Sequence, residues 1–364
     1  MALITSATIL IVFYILLVRI FRTGWRNIDV FEPKGISAEG KMKISIIVSC
    51  RNEEKVLSNL IESLRSQTFQ DFELVLVNDH STDQTEEIML RSLPFFRNAI
   101  YIQAAGEGKK RAIAEGILRS RGDVIVTTDA DCKPARRWLE TIVEFQAEQP
   151  SDLVICPVKL LDKGSFFSRL QQFEFTSLAA SGAGAVGVYT PILCNAANLV
   201  FTKEAWLKSR KDMKLDEQSG DDIFLLQSIK KQGGTIRFLR SKEAFVETEP
   251  SENLTTFVRQ RRRWAGKSTA YTDWHLIFTA CLVFGICLIQ LLLLAFSFFN
   301  VLYFYFFLFY FALKYWGDTK FLHEVSNFYS LQSVSFYSFC LSLVYPFYIV
   351  FTAISALFFK PKRW

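Results

Sequence analysis

The sequence predicts an α/β domain with a mostly parallel, doubly wound sheet, carried on apolar segments at both ends of the chain. Between residues 44 and 157, short β-branched runs alternate with segments of helical apolar spacing, a pattern that favours parallel strands joined by helices. Residues 1–18 carry no charge, and charges are sparse from 274 to 359. About 20 apolar residues suffice to cross a bilayer. We therefore expect an N-terminal transmembrane anchor over 1–22, a globular domain over 42–270 and a C-terminal transmembrane region over 274–359.

The first apolar segment is predicted to be a retained anchor and not a cleaved signal. It lacks a basic start, and Arg19, Arg22 and Arg26 follow it directly. Basic residues next to a span favour the cytoplasmic side. We therefore expect a multi-pass protein of the cell (inner or plasma) membrane with its globular domain in the cytoplasm and lipids as its surroundings.

The composition excludes several classes of protein. The seven cysteines form no CxxC pair and the chain has only three histidines, so neither a disulfide framework nor a zinc site is expected. The net charge of +6 is explained by basic residues near the membrane and by basic residues that bind an anionic ligand. Nucleic acid is not an expected partner.

Acidic residues follow the predicted strands at their carboxyl ends. Residues 44–49 and 73–77 read as buried strands, and Asp79 comes just after the second. A further strand over 124–128 ends at Asp129 and Asp131. Since strand side chains alternate, these two carboxylates are expected to point the same way and to converge on one hard cation. Two acidic residues at the end of a strand, without other motifs, are ordinarily explained as solvation of that strand end. Further strands and helices are predicted at 99–103, 109–120, 134–146 and 153–157.

Gly182-Ala-Gly184-Ala-Val-Gly187 matches the G-x-G-x-x-G pattern of dinucleotide-binding loops. It follows no convincing strand, and Pro191 interrupts the helix that should come next, so dinucleotide binding is not expected. Small residues at this position favour a close backbone approach or a mobile loop.

Two helical segments carry further polar candidates. Asp221 and Asp222 open one helix, where carboxylates are often simple partners of the helix dipole. In the next, Gln260, Arg263 and Trp264 are spaced i, i+3 and i+4 and so share a face. A basic helix next to a membrane is the alternative interpretation of this segment, but it does not require Gln and Trp on the face of one particular Arg.

The C-terminal region predicts about three spans, near 275–298, 302–315 and 336–359. Three spans after a cytoplasmic domain would place the basic residues of 360–364 outside, against the positive-inside tendency. Either that rule fails here or one segment is re-entrant or interfacial. No ionisable pair stands out inside the spans, which argues against a transporter.

Taken together, these motifs resemble those of the membrane-bound family 2 glycosyltransferases with a GT-A domain, which include cellulose, chitin, hyaluronan and poly-N-acetylglucosamine synthases. The resemblance covers roughly residues 42–270 and the flanking spans. The motifs that carry it, in the order of the family, are Ser45-Ile-Ile-Val-Ser-Cys-Arg-Asn-Glu53, Val77-Asn-Asp79, Gly108-Lys109, Asp129-Ala-Asp131, Gly220-Asp-Asp222 and Gln260-Arg-Arg-Arg263-Trp264.

The resemblance implies a donor site for a UDP-sugar. Glu53 and Asp79 would hold the uridine end, and Lys109 would lie beside the nucleotide or its phosphates. Asp129 and Asp131 would hold Mg²⁺ or Mn²⁺ against the diphosphate. At Arg51 the chain departs from the many members that carry Tyr or another aromatic residue, so stacking on the uracil is not carried over to this position.

The resemblance also implies the reacting groups. Asp222 would be the general base, Arg263 and Gln260 would steady the leaving diphosphate, and Trp264 would face the acceptor sugar. A single base without a nucleophilic carboxylate implies inversion, hence a β-linked product from an α-linked donor.

Three functions remain in view. The first is extension of a polysaccharide, with possible export or assembly subunits. The second is transfer of one sugar to a lipid, as in enzymes resembling ceramide glucosyltransferase. The third is a non-catalytic, nucleotide-sugar-binding membrane subunit. That function predicts loss of a catalytic carboxylate, and here Asp79, Asp129, Asp131 and Asp222 are all present.

Overall fold

The computed structural model describes residues 2–35, 42–213, 220–266 and 271–358. The chain divides into two compact units. The sheet unit comprises Ile28–Leu160 and Leu193–Glu249, and the helical unit comprises Met1–Asn27, Leu161–Ile192 and Pro250–Arg363. The interval 42–270 thus contributes residues to both units. The C-terminal residues 360–364, on which the positive-inside argument depended, lie outside the described part.

The sheet unit contains all the β-strands that the structure describes. In chain order they are β1 Ile44–Cys50, β2 Glu73–Asn78, β3 Asn98–Gln103, β4 Val124–Thr127, β5 Lys133–Pro134, β6 Leu153–Ile155, β7 Val158–Leu160, β8 Leu199–Thr202, β9 Ile236–Phe238 and β10 Val246–Thr248.

The α-helices of both units are numbered together along the chain. They are α1 Ala2–Asn27, α2 Leu57–Arg65, α3 Thr85–Ser92, α4 Lys109–Arg119, α5 Trp138–Glu148, α6 Phe166–Gly187, α7 Lys203–Ser209, α8 Asp221–Lys231, α9 Leu254–Ala265, α10 Trp274–Ser297, α11 Val301–Tyr329 and α12 Val334–Phe358.

A seven-stranded sheet in the order β3-β2-β1-β4-β8-β6-β9 forms the centre of the sheet unit. The strands pair in parallel except β8, which runs antiparallel to both β4 and β6. The predicted mostly parallel sheet is thereby confirmed. β1, β2 and β4 are almost wholly buried, as expected of strands with helices on both faces, which is why their sequences are continuous apolar runs.

The order of the strands reverses at β1, with β2 on one side and β4 on the other. Ligands of such sheets bind beyond the carboxyl ends of the strands at this switch point. A second, three-stranded sheet, β5-β10-β7, begins two residues after Asp131. It therefore lies beside the carboxyl end of β4.

The helical unit consists of α1, α6 and α9 to α12. Among the described residues, three helical stretches are long and apolar enough to cross a membrane, Leu3–Asn27, Trp274–Ser297 and Val334–Ser355. The span predicted at 302–315 is the first half of α11, which continues through Lys314, Asp318 and Glu324. These charges keep α11 out of that set, so two C-terminal helices qualify where about three were expected.

The glycine run at 182–187 lies inside α6 and packs against α1. A Cβ added at Gly184 would collide with the carbonyl group of Phe21, and one added at Gly187 would collide with that of Gly24. Small residues let helix backbones approach this closely. The run is thus a helix-crossing site.

α11 also carries buried charges. The Lys314 side chain is 4% exposed, and its Nζ lies 2.7 Å from Asp318 Oδ2. The Tyr14 hydroxyl of α1 donates to Asp318 Oδ1 at 2.6 Å. Glu324 pairs with Arg22 and Arg26 of α1. Lys314 lies at the end of the span predicted at 302–315 and Asp318 lies beyond it, so this ion pair falls at the edge of that span. Lys314 and Asp318 are spaced i, i+4 and so lie one helical turn apart on the same face, a pattern that a search for apolar runs does not detect.

Candidate active site

The loops after β1, β2 and β4 bring together most of the acidic candidates. Glu53 follows β1, Asp79 follows β2, and Asp129 and Asp131 follow β4. Lys109 is the first residue of α4. Since β1, β2 and β4 are parallel neighbours, these side chains share the carboxyl edge of the sheet, at its switch point.

Asp79 anchors the loop that starts α4. Its carboxylate is buried, and Oδ1 accepts a hydrogen bond from the backbone N–H of Gly108 at 2.9 Å. Gly108 has a φ of +110°, a conformation that residues with a Cβ rarely adopt. The Gly108-Lys109 pair is therefore fixed by backbone geometry, with the glycine allowing the turn and Asp79 holding it.

Lys109 forms an ion pair with Asp129 at a distance of 2.5 Å from Nζ to Oδ1. Burial opposes the charged form of Lys109, but the negative charges of Asp129 and Asp221 outweigh it and raise the pKa of the ammonium group. Lys109 is therefore held positively charged beside the acidic pair.

Negative charge is concentrated around this lysine. Burial raises the pKa of Glu53 to about 7, and the charges of Asp131 and Asp129 contribute to that shift. The pKa of Asp131 is also raised, first by lost hydration and then by Asp129. Carboxylates that repel each other in this way are stabilised by an added cation.

The donor set suits a hard divalent cation bound together with a substrate. Within the described ranges, no group of three or more His, Cys, Asp or Glu side chains forms a complete metal cage. Mg²⁺ is often held by one or two carboxylates plus phosphate oxygens and water. Asp129 and Asp131 fit that arrangement.

The strand-alternation argument for Asp129 and Asp131 is wrong in its geometry. β4 ends at Thr127, and the two aspartates lie in the turn that follows, where the Cys132 N–H donates to the Asp129 carbonyl at 3.1 Å. It is this turn, and not a strand, that keeps the two carboxylates close enough to influence each other. Asp131 also accepts a hydrogen bond from Thr248 of β10 at 3.2 Å.

Asp222 lies in the first turn of α8. Gly220 precedes this helix with a left-handed φ of +96°, and Asp222 Oδ1 accepts from the N–H of Ile223 at 2.8 Å. Its neighbour Asp221 acts electrostatically on Lys109, which places the start of α8 near the acidic cluster.

Gln260, Arg263 and Trp264 lie on α9 in the helical unit, and all three are partly buried. The buried residue of this segment is Arg261. Its guanidinium donates to Gln260 Oε1 at 2.6 Å and lies 4.2 Å from the ring centroid of Trp264. Two of the three predicted residues thus contact a neighbour that sequence reasoning passed over.

Sequence reasoning missed three participants. Asp221 is visible in the sequence only as one of a pair, and its contribution to Lys109 depends on packing between α4 and α8. Thr248 comes from a strand 117 residues after Asp131 and carries no local signal. Arg261 stands in a run of three arginines. It follows Phe257 by four positions, so the helical period of 3.6 residues could have placed it on the same face as Phe257.

A mostly parallel sheet with acidic residues and a lysine at its switch point suits a phosphate-bearing ligand bound with a divalent cation. Residues 45–204, somewhat under half of the chain, match the family model described as Glycosyl transferase family 2.

Two curated relatives illustrate the likeness. Poly(ribitol-phosphate) beta-N-acetylglucosaminyltransferase TarS of Staphylococcus aureus is 32% identical over 127 residues, 32% of this chain and 21% of that protein. Undecaprenyl-phosphate 4-deoxy-4-formamido-L-arabinose transferase of Photorhabdus laumondii is 32% identical over 124 residues, 33% of this chain and 38% of that protein. The likeness therefore spans well under half the length of either relative.

One solved structure shares the fold over nearly the whole chain. It is the mannosyltransferase PcManGT from Pyrobaculum calidifontis in complex with GDP-Man and Mn²⁺, with a TM-score of 0.61 at 17% identity, covering 98% of this chain and 99% of that one.

Proposed function

We propose that the protein is a metal-dependent, inverting hexosyltransferase that moves a sugar from a nucleoside-diphosphate sugar, expected to be a UDP-sugar, to a growing polysaccharide at the membrane. The observation that carries the proposal is the cluster of Glu53, Asp129 and Asp131 around Lys109 at the switch point of the sheet. A diphosphate with its divalent cation complements such a mixture of charges.

The donor would be held by the edge residues. Asp129 and Asp131 would bind Mg²⁺ or Mn²⁺, which when bound supplies positive charge to the leaving diphosphate. Lys109 would lie beside the phosphates, while Glu53 and Asp79 would orient the nucleoside end. The complex of PcManGT with Mn²⁺ supports this use of a metal.

The reaction would displace the nucleoside diphosphate from the anomeric carbon. Asp222 would accept the proton of the acceptor hydroxyl as its oxygen forms the new bond, and the bond to the diphosphate oxygen would break. Arg263 and Gln260 would steady the charge on that oxygen. Trp264 would supply an aromatic surface for the acceptor, and one displacement gives a β-linked product from an α-linked donor.

A single transfer to a lipid acceptor is the second candidate. Its support is a curated relative named as an undecaprenyl-phosphate 4-deoxy-4-formamido-L-arabinose transferase. A growing polysaccharide is favoured as the acceptor by the combination of Gln260, Arg263 and Trp264, which the sequence shares with the synthases that it resembles.

The decisive experiment is nucleotide release by the detergent-purified protein over a panel of UDP-sugars and GDP-mannose, with Mn²⁺, Mg²⁺ or a chelator. We expect release from one donor that the chelator abolishes. Supplying undecaprenyl phosphate or an oligosaccharide and sizing the product then separates lipid transfer from polymerisation. Release from no donor with either acceptor would contradict the proposal and favour a nucleotide-sugar-binding subunit.

A further inference from the structure

The three consecutive arginines of α9 are not equivalent. Arg261 is 6% exposed and faces Glu174 of α6, which is 3% exposed. Its Nε donates to Glu174 Oε1 at 2.9 Å, and its Nη2 donates to Oε2. This is the fork-to-carboxylate geometry that makes arginine pairs strong and directional.

A third helix completes the pair. The Tyr348 hydroxyl of α12 donates to Glu174 Oε1 at 2.8 Å, so the carboxylate receives three hydrogen bonds. A buried ion pair offsets its lost hydration only when such additional bonds are made. Glu174 therefore joins α6, α9 and α12 at one point.

Arg261 also holds the side chains on either side of it. Its Nη1 donates to Gln260 Oε1, and its guanidinium lies over the rings of Phe257 and Trp264, 4.4 Å and 4.2 Å from their centroids. Fixing Arg261 on Glu174 thus fixes the amide of Gln260 and the ring of Trp264. A guanidinium so fully engaged cannot also reach a diphosphate.

We propose that Glu174 and Arg261 are positioning residues, which set the orientation of Gln260 and Trp264 on α9 for transfer. The proposal rests on the function proposed above. The neighbouring arginines would then have different roles, with Arg261 holding the helix face and Arg263 serving the leaving group as proposed above.

The test measures diphosphate release per donor-binding site, using the donor that the wild type turns over and counting sites by titration with UDP and Mn²⁺. Glu174→Gln should lower the rate per site by about 10²-fold, the size of effect that a misplacement of about 1 Å produces. Tyr348→Phe, which keeps the ion pair, should lower it less, and Arg261→Lys should retain more activity than Arg261→Gln. A purely structural role would reduce the number of sites and leave the rate per site unchanged.

Glu324→Gln is the matched control, because Glu324 also pairs with arginine in the helical unit but contacts α1. It should leave the rate per site at the wild-type value. Hydrogen exchange of the α9 amides gives a readout that does not depend on transfer. It should accelerate in Glu174→Gln and not in Glu324→Gln.

The outcomes separate the two proposals. A wild type that releases no nucleotide contradicts the proposed function, while exchange in α9 still tests the positioning role. A wild-type rate per site in Glu174→Gln, or unchanged exchange in α9, overturns the inference.

Discussion

The two aspartates that open α8 differ in what they act on. Asp221 acts on Lys109, whereas Asp222 is the proposed base. Asp222→Asn should lower turnover by about 10²- to 10⁴-fold, the usual contribution of a positioned base, and should leave donor binding nearly intact. Asp221→Asn should instead raise the KM for the donor with a smaller change in kcat. Steady-state kinetics with calorimetric donor titration distinguishes them. An Asp222→Asn enzyme with near-normal kcat would rule out this base.

The residues that the sequence predicts are those whose chemistry is visible locally. Asp129 and Asp131 end a buried run, and Gly108-Lys109 precedes a helix, so composition and order suffice to find them. Thr248 and Glu174 could not be found in this way, because strand pairing in one case and helix packing in the other bring them to their partners. Neither contact leaves a periodicity in the chain.

At the level of elements, the crossing of α1 and α6 depends on glycine. Gly184→Ala places a Cβ against the Phe21 carbonyl and forces the helices apart. Overpacking of this kind costs about 1–3 kcal/mol. Thermal unfolding in detergent should therefore show a lower midpoint for Gly184→Ala. At Gly285 of α10 a Cβ would meet Leu10 at 3.5 Å, so Gly285→Ala should melt like the wild type. Equal midpoints for the two variants would contradict the close crossing.

The Lys314 and Asp318 pair is the second element-level test. Lys314→Met leaves the Asp318 carboxylate without its cation in a largely apolar bundle, and breaking a buried pair from one side costs about 3–5 kcal/mol. The double change Lys314→Met and Asp318→Leu removes both charges and should recover much of that loss. Denaturation midpoints of the single and double variants give the comparison. A double variant no more stable than Lys314→Met would show that the charges are not coupled.

At the scale of the whole molecule, ligand binding at the donor site should increase the free energy of unfolding. A nucleotide that binds only the folded state adds about 2.7 kcal/mol at 100 times its Kd. UDP with Mn²⁺ should therefore raise the unfolding midpoint of the protein, and a chelator should remove most of that gain. The same measurement on Asp131→Asn should show a smaller rise. A gain that survives chelation would show that the nucleotide binds without the cation.

The overall architecture was predictable, because long apolar ends and alternating strands are patterns of composition. The second half of α11 was not, since its charges lower its hydropathy and their partners on α1 lie far away along the chain. The assignment of α6 and α9 to the helical unit could not be predicted from the sequence either. Both helices lie within the interval 42–270, and only their packing shows where they belong.

The polar face of α11 has a consequence for how the helical unit is held together. A helix that carries Lys314, Asp318 and Glu324 is costly to leave in lipid alone, and partners for Asp318 and Glu324 come from Tyr14, Arg22 and Arg26 of α1. The contacting residues lie about 300 positions apart in the chain, so these contacts form only when α11 packs against α1. The stability of α11 is thereby tied to that of α1.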